Sequence, residues 1–451
     1  MKLKPLLILG FLLLAISAFG QTITITAPVQ RIVYQQNAQH VAMVPIKGTF
    51  TGSIVSVEAR AIVMLGYNSG SNTEWTAIGT TSGAFSGTLT VPAGGWYQIE
   101  VQCKDANNAV VASAKVLKVG VGEVFITLGQ SNSANCGYPP QTPVDDRVST
   151  WDGSVHWVFA KDPQPIGPFE ITGSGGSPWP PFASLIVQRL NVPVGLISVG
   201  IGGASVEKWL PSGNYYRRLR GSLKYVGVGG ARAVLWHQGE ADAMAGTSTA
   251  NYVSRLNTII NQSRIDAGYT VPWGIALVSW IGPGYEANQP AVRAGQVQVV
   301  NQGTAMFQGP DTDTYITPDL RLSIDGVHMN GAGLQRHGRL WADILCAGLL
   351  KDVPGVATSN SPIKTNGVLV RIWGRVTKVT STYIYIDDGS GYDDGSGNGQ
   401  GIRVMISGLV NPITKSFEAG TTYVKGVTGV SGVDTDGVPC VRPRNDDDIN
   451  L

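Results

Sequence analysis

The chain has 451 residues with 33 Lys and Arg against 31 Asp and Glu, a charged fraction of 14% and a hydrophobic fraction of 43%. So balanced and sparse a charge excludes the basic surface of a nucleic-acid-binding protein. With 11 Trp and 15 Tyr it fits an uncharged ligand such as a glycan, and the length predicts two or three domains.

Met1 to Gly20 reads as a signal peptide. Lys2 and Lys4 precede an apolar run, Leu6 to Ala15, and Ala18-Phe-Gly20 supplies small residues for cleavage. That run is too short to cross a membrane, and no later segment approaches the ~20 apolar residues a span needs. A secreted or periplasmic protein without a membrane span is expected. Four cysteines follow, Cys103, Cys136, Cys346 and Cys440. Their even number permits disulfides, their irregular spacing equally permits buried thiols, and no Cys-x-x-Cys metal pattern occurs.

From Gln21 to Val119 the chain reads as strands only. Thr22-Ile-Thr-Ile-Thr, Ile54 to Ala61, Ala84 to Val91 and Trp96 to Cys103 alternate apolar and polar residues, with Gly- and Asn-rich turns between them. This predicts an immunoglobulin-like β-sandwich over 21–119, an accessory domain without catalytic groups.

From residue 120 to 355 buried-strand runs alternate with helical stretches, which predicts an α/β domain with a largely parallel sheet. Strands are expected at Val124–Leu128, Val194–Val199, Ala233–Trp236 and Trp273–Val278. Helices are expected at Phe182–Leu190, Ser248–Ile265 and Ala332–Leu350. After a Gly/Pro/Ser-rich linker, residues 366–451 hold about five strand-like runs in under a hundred residues, resembling a small OB-like barrel. Its Asp388, Asp393 and Asp394 lack the order of an EF-hand and read as a solvated turn.

In open parallel sheets the functional crevice lies beyond the carboxyl ends of the strands. Four segments fall there or before the last helix. Gly129-Gln-Ser131-Asn132 follows an apolar strand and sets a serine at a strand-to-helix turn, where it reads either as a nucleophile or as a helix cap. Gly202-Gly203 follows a second strand and lets backbone N–H groups approach a ligand. Trp236-His-Gln238-Gly-Glu240-Ala-Asp242 brings an amide and a carboxylate past a third, with Trp236 and His237 read as packing. Asp325-Gly-Val-His328 spaces an acid and an imidazole to share a hydrogen bond. His337 lies inside the following helix and reads as solvated.

Together, Gly129-Gln-Ser-Asn132, Gly202-Gly-Ala-Ser-Val-Glu-Lys-Trp209, Trp236-His-Gln-Gly-Glu-Ala-Asp242 and Asp325-Gly-Val-His328 resemble the SGNH hydrolase superfamily. The resemblance is to its carbohydrate esterases of the sialate O-acetylesterase and acetylxylan esterase type. Gly175-Gly-Ser-Pro-Trp-Pro-Pro-Phe182 matches the lead-in to a helix of that family, and the likeness covers about Gly122 to Leu350.

The resemblance implies a flavodoxin-like three-layer α/β/α domain that needs no metal or cofactor. It also implies a Ser131, His328, Asp325 triad, with Glu240 as the alternative acid. The oxyanion would be held by the Ser131 and Gly203 N–H groups and the Gln238 amide, with Asn132 a secondary site residue. The implied substrate is an acetylated glycan, such as xylan or O-acetyl sialic acid, with further carbohydrate contacts through the accessory β domains. Trp151, Trp157, Trp179 and Trp209 offer faces for sugar rings or ordinary packing. A general or lipolytic esterase, or an inactive glycan-binding protein, are the other readings. Ser133, where many relatives carry Met, is expected to shape the acyl pocket.

Overall fold

The computed structural model describes residues 21–165, 175–350, 369–388, 397, 399–407, 413–433 and 438–451. The signal-peptide segment, the whole 356–365 linker with its flanks, and Asp393 and Asp394 lie outside the described residues.

The N-terminal part is all strand: β1 (Ile23–Ala27), β2 (Val33–Gln35), β3 (Val41–Phe50), β4 (Ser56–Val63), β5 (Thr76–Ile78), β6 (Thr80–Thr81), β7 (Ala84–Pro92) and β8 (Gly94–Lys104). One sheet runs β1-β3-β7-β6, while β4, β5 and β8 belong to a second. Alternate residues of β3, β4, β7 and β8 point inward, among them Val44, Ile46, Val57, Ala59, Leu89 and Ile99, and fill the core between the sheets.

The next strand, β9 (Val110–Gly129), is 20 residues long. Its first half pairs antiparallel with β8, and its second half is the centre of the α/β sheet. The boundary expected at 119/120 therefore falls inside one uninterrupted strand. Side chains reinforce the junction. Asp146 accepts from Arg31 at 2.9 Å, Lys118 at 2.9 Å, Tyr67 at 3.0 Å and Trp96 Nε1 at 3.0 Å. Glu123, fully buried, accepts from Gln35 and Gln36 of the N-terminal part and from Arg232 of the α/β part. Val33 and Trp96 pack in the same apolar cluster as the α/β strands.

The α/β part continues with β10 (Val148–Trp151), β11 (Trp157–Phe159), α1 (Trp179–Leu190), β12 (Val194–Ser198), α2 (Tyr216–Val226), β13 (Ala233–His237), α3 (Glu240–Ala245), α4 (Thr249–Ala267), β14 (Trp273–Leu277), α5 (Gln289–Gln302), β15 (Met306–Asp311) and α6 (Gly331–Ala347). The strands line up as β11-β10-β12-β9-β13-β14-β15, parallel from β10 to β15. All five residues of β12, β13 and β14 are buried, as strands covered on both faces must be. One apolar cluster joins the sheet to α1 and α6, another to α2, α4 and α5.

The C-terminal part is a closed five-stranded barrel of β16 (Leu369–Val379), β17 (Tyr383–Asp387), β18 (Ile402–Met405), β19 (Tyr423–Val433) and β20 (Pro439–Arg442), with a short β21 (Ile449–Asn450) on β19. The order β16-β17-β18-β20-β19 closes through β16–β19 pairing, and β18 and β20 run parallel. No disulfide joins the four cysteines, which leaves the buried Cys103 and Cys346 as thiols.

Candidate active site

β9 lies between β12 and β13, so its carboxyl end opens at the middle of the sheet edge. There Gly129 takes φ +133°, and a Cβ at this position would sit 1.9 Å from the carbonyl oxygen of His237. Only glycine lets the chain turn so close to β13. Gln130 N–H closes the turn onto that same oxygen at 3.0 Å. Ser131–Ser133 then form a single 3₁₀ turn rather than the expected helix start. Ser131 keeps 8% of its surface, whereas Gln130 and Asn132 keep 2% and Ser133 none. The nucleophile candidate is buried as well, but keeps more of its surface than its neighbours in the turn.

Ser133 is fully buried. Its hydroxyl donates to the Leu128 carbonyl at 3.0 Å, and its own carbonyl accepts from Trp179 Nε1 at 2.8 Å. It stiffens the turn from behind.

Asp325 and His328 meet as expected, with Asp325 Oδ2 2.7 Å from His328 Nδ1. Asp325 Oδ1 also accepts the backbone N–H groups of Val327 and His328, at 2.8 and 2.9 Å. Partial burial opposes ionisation of Asp325, but the hydrogen bonds from His328 and Val327 outweigh it and hold the carboxyl below its usual range. Asp325 caps no helix. The N-cap of α6 is Asn330, whose side chain accepts from Gly333 N–H. Because Nδ1 faces the carboxylate, Nε2 of His328 is left for proton transfer.

Asn132 joins this loop to the serine turn. Its Nδ2 donates to the Val327 carbonyl at 3.3 Å and to Glu240 Oε1 at 3.0 Å, and its Oδ1 accepts from Met329 N–H at 3.3 Å. The residues on either side of His328 are therefore bonded to the residue after Ser131.

The loop after β12 reaches the same place through Ile201 N–H, which donates to the Gly129 carbonyl at 3.1 Å. Gly203 sits at φ +67° with nothing within 4 Å of where a Cβ would be, so its backbone faces open space. Among the described residues neither the Ser131 nor the Gly203 N–H has an acceptor. Asp242 Oδ2 pins this loop by accepting Val206 N–H at 2.8 Å.

Two expectations need correction. Gln238 presents no donor for an oxyanion. It is fully buried, and its amide nitrogen donates to Asp242 Oδ2 at 2.6 Å and to Gln130 Oε1 at 3.2 Å. Gln238 instead braces the turn that carries Ser131. Glu240, the alternative acid, is not paired with His328 among the described residues. It is buried, and Oε1 contacts Asn132 and His237 Nε2, the latter at 3.4 Å.

The strand-end histidine is part of a polar chain that sequence reasoning missed. His237 Nδ1 lies 2.8 Å from His337 Nε2, and His337 Nδ1 lies 2.7 Å from Tyr315 OH. His337 is fully buried, not solvated, and burial followed by the neighbouring His237 pushes its pKa well below the usual value. Its position was readable. Leu334, His337, Gly338, Trp341 and Leu345 form one inward stripe of α6 at helical spacing. Trp341 Nε1, which can only donate, points at His337 Nε2, so that nitrogen accepts and His237 Nδ1 must carry a proton. The sugar-stacking candidates Trp157, Trp179 and Trp209 are core residues, and Trp151 is stacked on Tyr225 with ring centroids 4.3 Å apart.

The model of the family described as carbohydrate esterase, sialic acid-specific acetylesterase matches residues 121–347. The chain belongs to this family. The match begins inside β9 and ends at the last residue of α6, so it takes in every site segment above. A probable carbohydrate esterase of Arabidopsis thaliana is 24% identical over 165 residues, 32% of this chain and 64% of that protein. The chain thus matches just under two thirds of that relative's length. Among solved structures, a carbohydrate acetylesterase from Xanthomonas citri is 17% identical, with 81% of this chain and 82% of that chain covered and a TM-score of 0.47. A family 3 carbohydrate esterase from Clostridium thermocellum is 12% identical, covering 51% of this chain and 98% of that chain, with a TM-score of 0.35.

Proposed function

We propose that this protein is an exported serine esterase that removes O-acetyl groups from carbohydrate through an acyl-enzyme. The observation that carries the reading is the Asn132 bridge. It bonds both chain neighbours of His328, whose imidazole faces Asp325, to the residue that follows Ser131, and this supports a role for the two as base and nucleophile. In this mechanism Ser131 Oγ attacks the ester carbonyl while His328 Nε2 takes its proton, and Asp325 stabilises the imidazolium. The oxyanion is held by the Ser131 and Gly203 N–H groups, each donor contributing about 3 kcal/mol to the transition state. His328 returns the proton to the departing sugar hydroxyl, and water then releases acetate by the same route reversed.

We read the α/β part as a flavodoxin-like three-layer SGNH domain. Supporting this, β9, β12, β13, β14 and β15 stand in the spatial order 2-1-3-4-5, and helices pack in two separate apolar clusters. The barrel is read as OB-like on its 1-2-3-5-4-1 closure. Export rests on the Met1–Gly20 sequence pattern.

Hydrolysis of acetyl and longer-chain nitrophenyl esters by the wild type and Ser131→Ala tests the function. Acetyl preference with loss of activity in the variant is expected. A rate that rises with acyl length gives a lipolytic esterase instead, and full activity in the variant removes the serine mechanism. Acetate release from acetylated xylan against O-acetyl sialic acid then selects the glycan.

A further inference from the structure

The barrel carries a surface that the esterase site does not use. Arg371, Trp373 and Arg375 alternate along the outward side of β16, and all three are exposed. The facing strand β19 exposes Tyr423 and Lys425. Antiparallel pairing sets Arg375 directly opposite Tyr423, which makes Trp373 the diagonal neighbour of that tyrosine. Trp373 keeps 53% of its surface and Tyr423 56%. The barrel core is closed by Val376, Ile384, Val404, Val424 and Val427, so neither ring is needed to fill it. Arg371 lies across the bare backbone of Gly426, where a Cβ would come within 2.8 Å of its Nε. Lys425 Nζ reaches the Leu451 carbonyl oxygen at 3.0 Å and adds a third positive charge to those of the two arginines.

Two exposed aromatic rings and two guanidinium groups on adjacent strands match one chemistry well. A sugar ring lays its C–H face on an aromatic plane, and a guanidinium fork takes a carboxylate in bidentate fashion. We propose that this β16–β19 surface binds a polysaccharide whose sugars bear carboxylate groups, a uronic-acid-containing glycan. This rests on the reading of the chain as a glycan esterase and assigns the polymer that the barrel holds. A single-stranded nucleic acid would use similar groups, but the net charge of +2 over the whole chain supplies little of the field such binding depends on.

The test is affinity electrophoresis and calorimetry of the full chain with polygalacturonate, a neutral arabinoxylan and a thymidine oligonucleotide. Nitrophenyl acetate hydrolysis is measured on the same samples. Wild type is expected to bind polygalacturonate in preference to both other probes. Trp373→Ala and Arg375→Gln should each weaken that binding roughly tenfold, Trp373→Phe should restore most of it, and acetyl ester hydrolysis should not change. Equal binding of arabinoxylan or of the oligonucleotide, or undiminished binding by Trp373→Ala, overturns the proposal. A wild type that cleaves nitrophenyl acetate but ignores polygalacturonate overturns the surface and leaves the esterase reading intact. Binding without cleavage does the reverse.

Discussion

Asn132 accepts the backbone N–H of Met329 across 3.3 Å, which ties the residue after the candidate nucleophile to the residue after the candidate base. The side chain is buried, and its other end is shared between the Val327 carbonyl and Glu240. In the proposed mechanism it is a positioning residue for His328 rather than a reacting group.

Asn132→Ala should therefore lower kcat by about ten- to a hundredfold, since a small misplacement of a base is costly, while KM for a small acetyl ester changes little. Steady-state kinetics beside a melting curve checks this. A change in KM alone would contradict the positioning role.

Asp325 and Glu240 were both candidates for the acid, and the geometry separates them. Asp325→Asn removes the carboxylate bonded to His328 Nδ1 and should reduce kcat on the order of a thousandfold or more. Glu240→Gln keeps an acceptor for Asn132 and should stay within about tenfold of wild-type kcat while lowering the melting temperature. The reverse ranking of the two variants would return the acid role to Glu240.

Gly129 makes one of the tight backbone approaches at the site, 1.9 Å between the position a Cβ would take and the His237 carbonyl oxygen. Gly129→Ala adds a methyl that collides with the His237 carbonyl at a φ alanine rarely adopts. A loss of about 3 kcal/mol or more is expected, seen as poor soluble yield or a steep fall in the denaturation midpoint. A variant as stable as wild type would show that the β9 turn is not held as described.

Asp146 links stability to pH. Burial disfavours its charge, but hydrogen bonds from Lys118 and Arg31 prevail and bring its pKa to about 2, against an ordinary 3.8. A lowered folded-state pKa adds stability that is complete above about pH 4 and disappears as the pH falls through 2. The advantage of wild type over Asp146→Asn in denaturant titrations should be constant at neutral pH and vanish across that window. The same variant should loosen the junction between the N-terminal strands and the α/β sheet, where Arg31, Tyr67, Trp96 and Lys118 converge on Asp146.

The strongly periodic elements were readable from the sequence. β12, β13, β14, α1, α4 and α6 stand within a few residues of their expected places, because unbroken apolar runs and helical stripes have few alternatives. α2 was not seen: its buried Tyr216, Leu219 and Leu223 are set among basic residues. α5 was hidden by a polar inward residue, Gln296, which bonds Val278 and the Gln238 carbonyl. β15 ends in Gly-Pro-Asp and lacks a strand signature. At the site, the Asp325–His328 pair was legible because three residues fix its reach. The roles of Gln238, Glu240 and His337 were not, since each depends on partners about a hundred residues away. Nor does composition reveal that β9 runs unbroken from one fold into the next.

The central claim is that Ser131 carries the acyl group. Rapid quenching of the enzyme with a nitrophenyl acetate, followed by proteolysis and mass spectrometry, tests it most directly. An acetyl adduct on the peptide containing Ser131, absent from Ser131→Ala and accumulating in His328→Ala only on prolonged exposure, is the predicted result. Turnover of the ester with no adduct at Ser131, or equal turnover by Ser131→Ala, would contradict it.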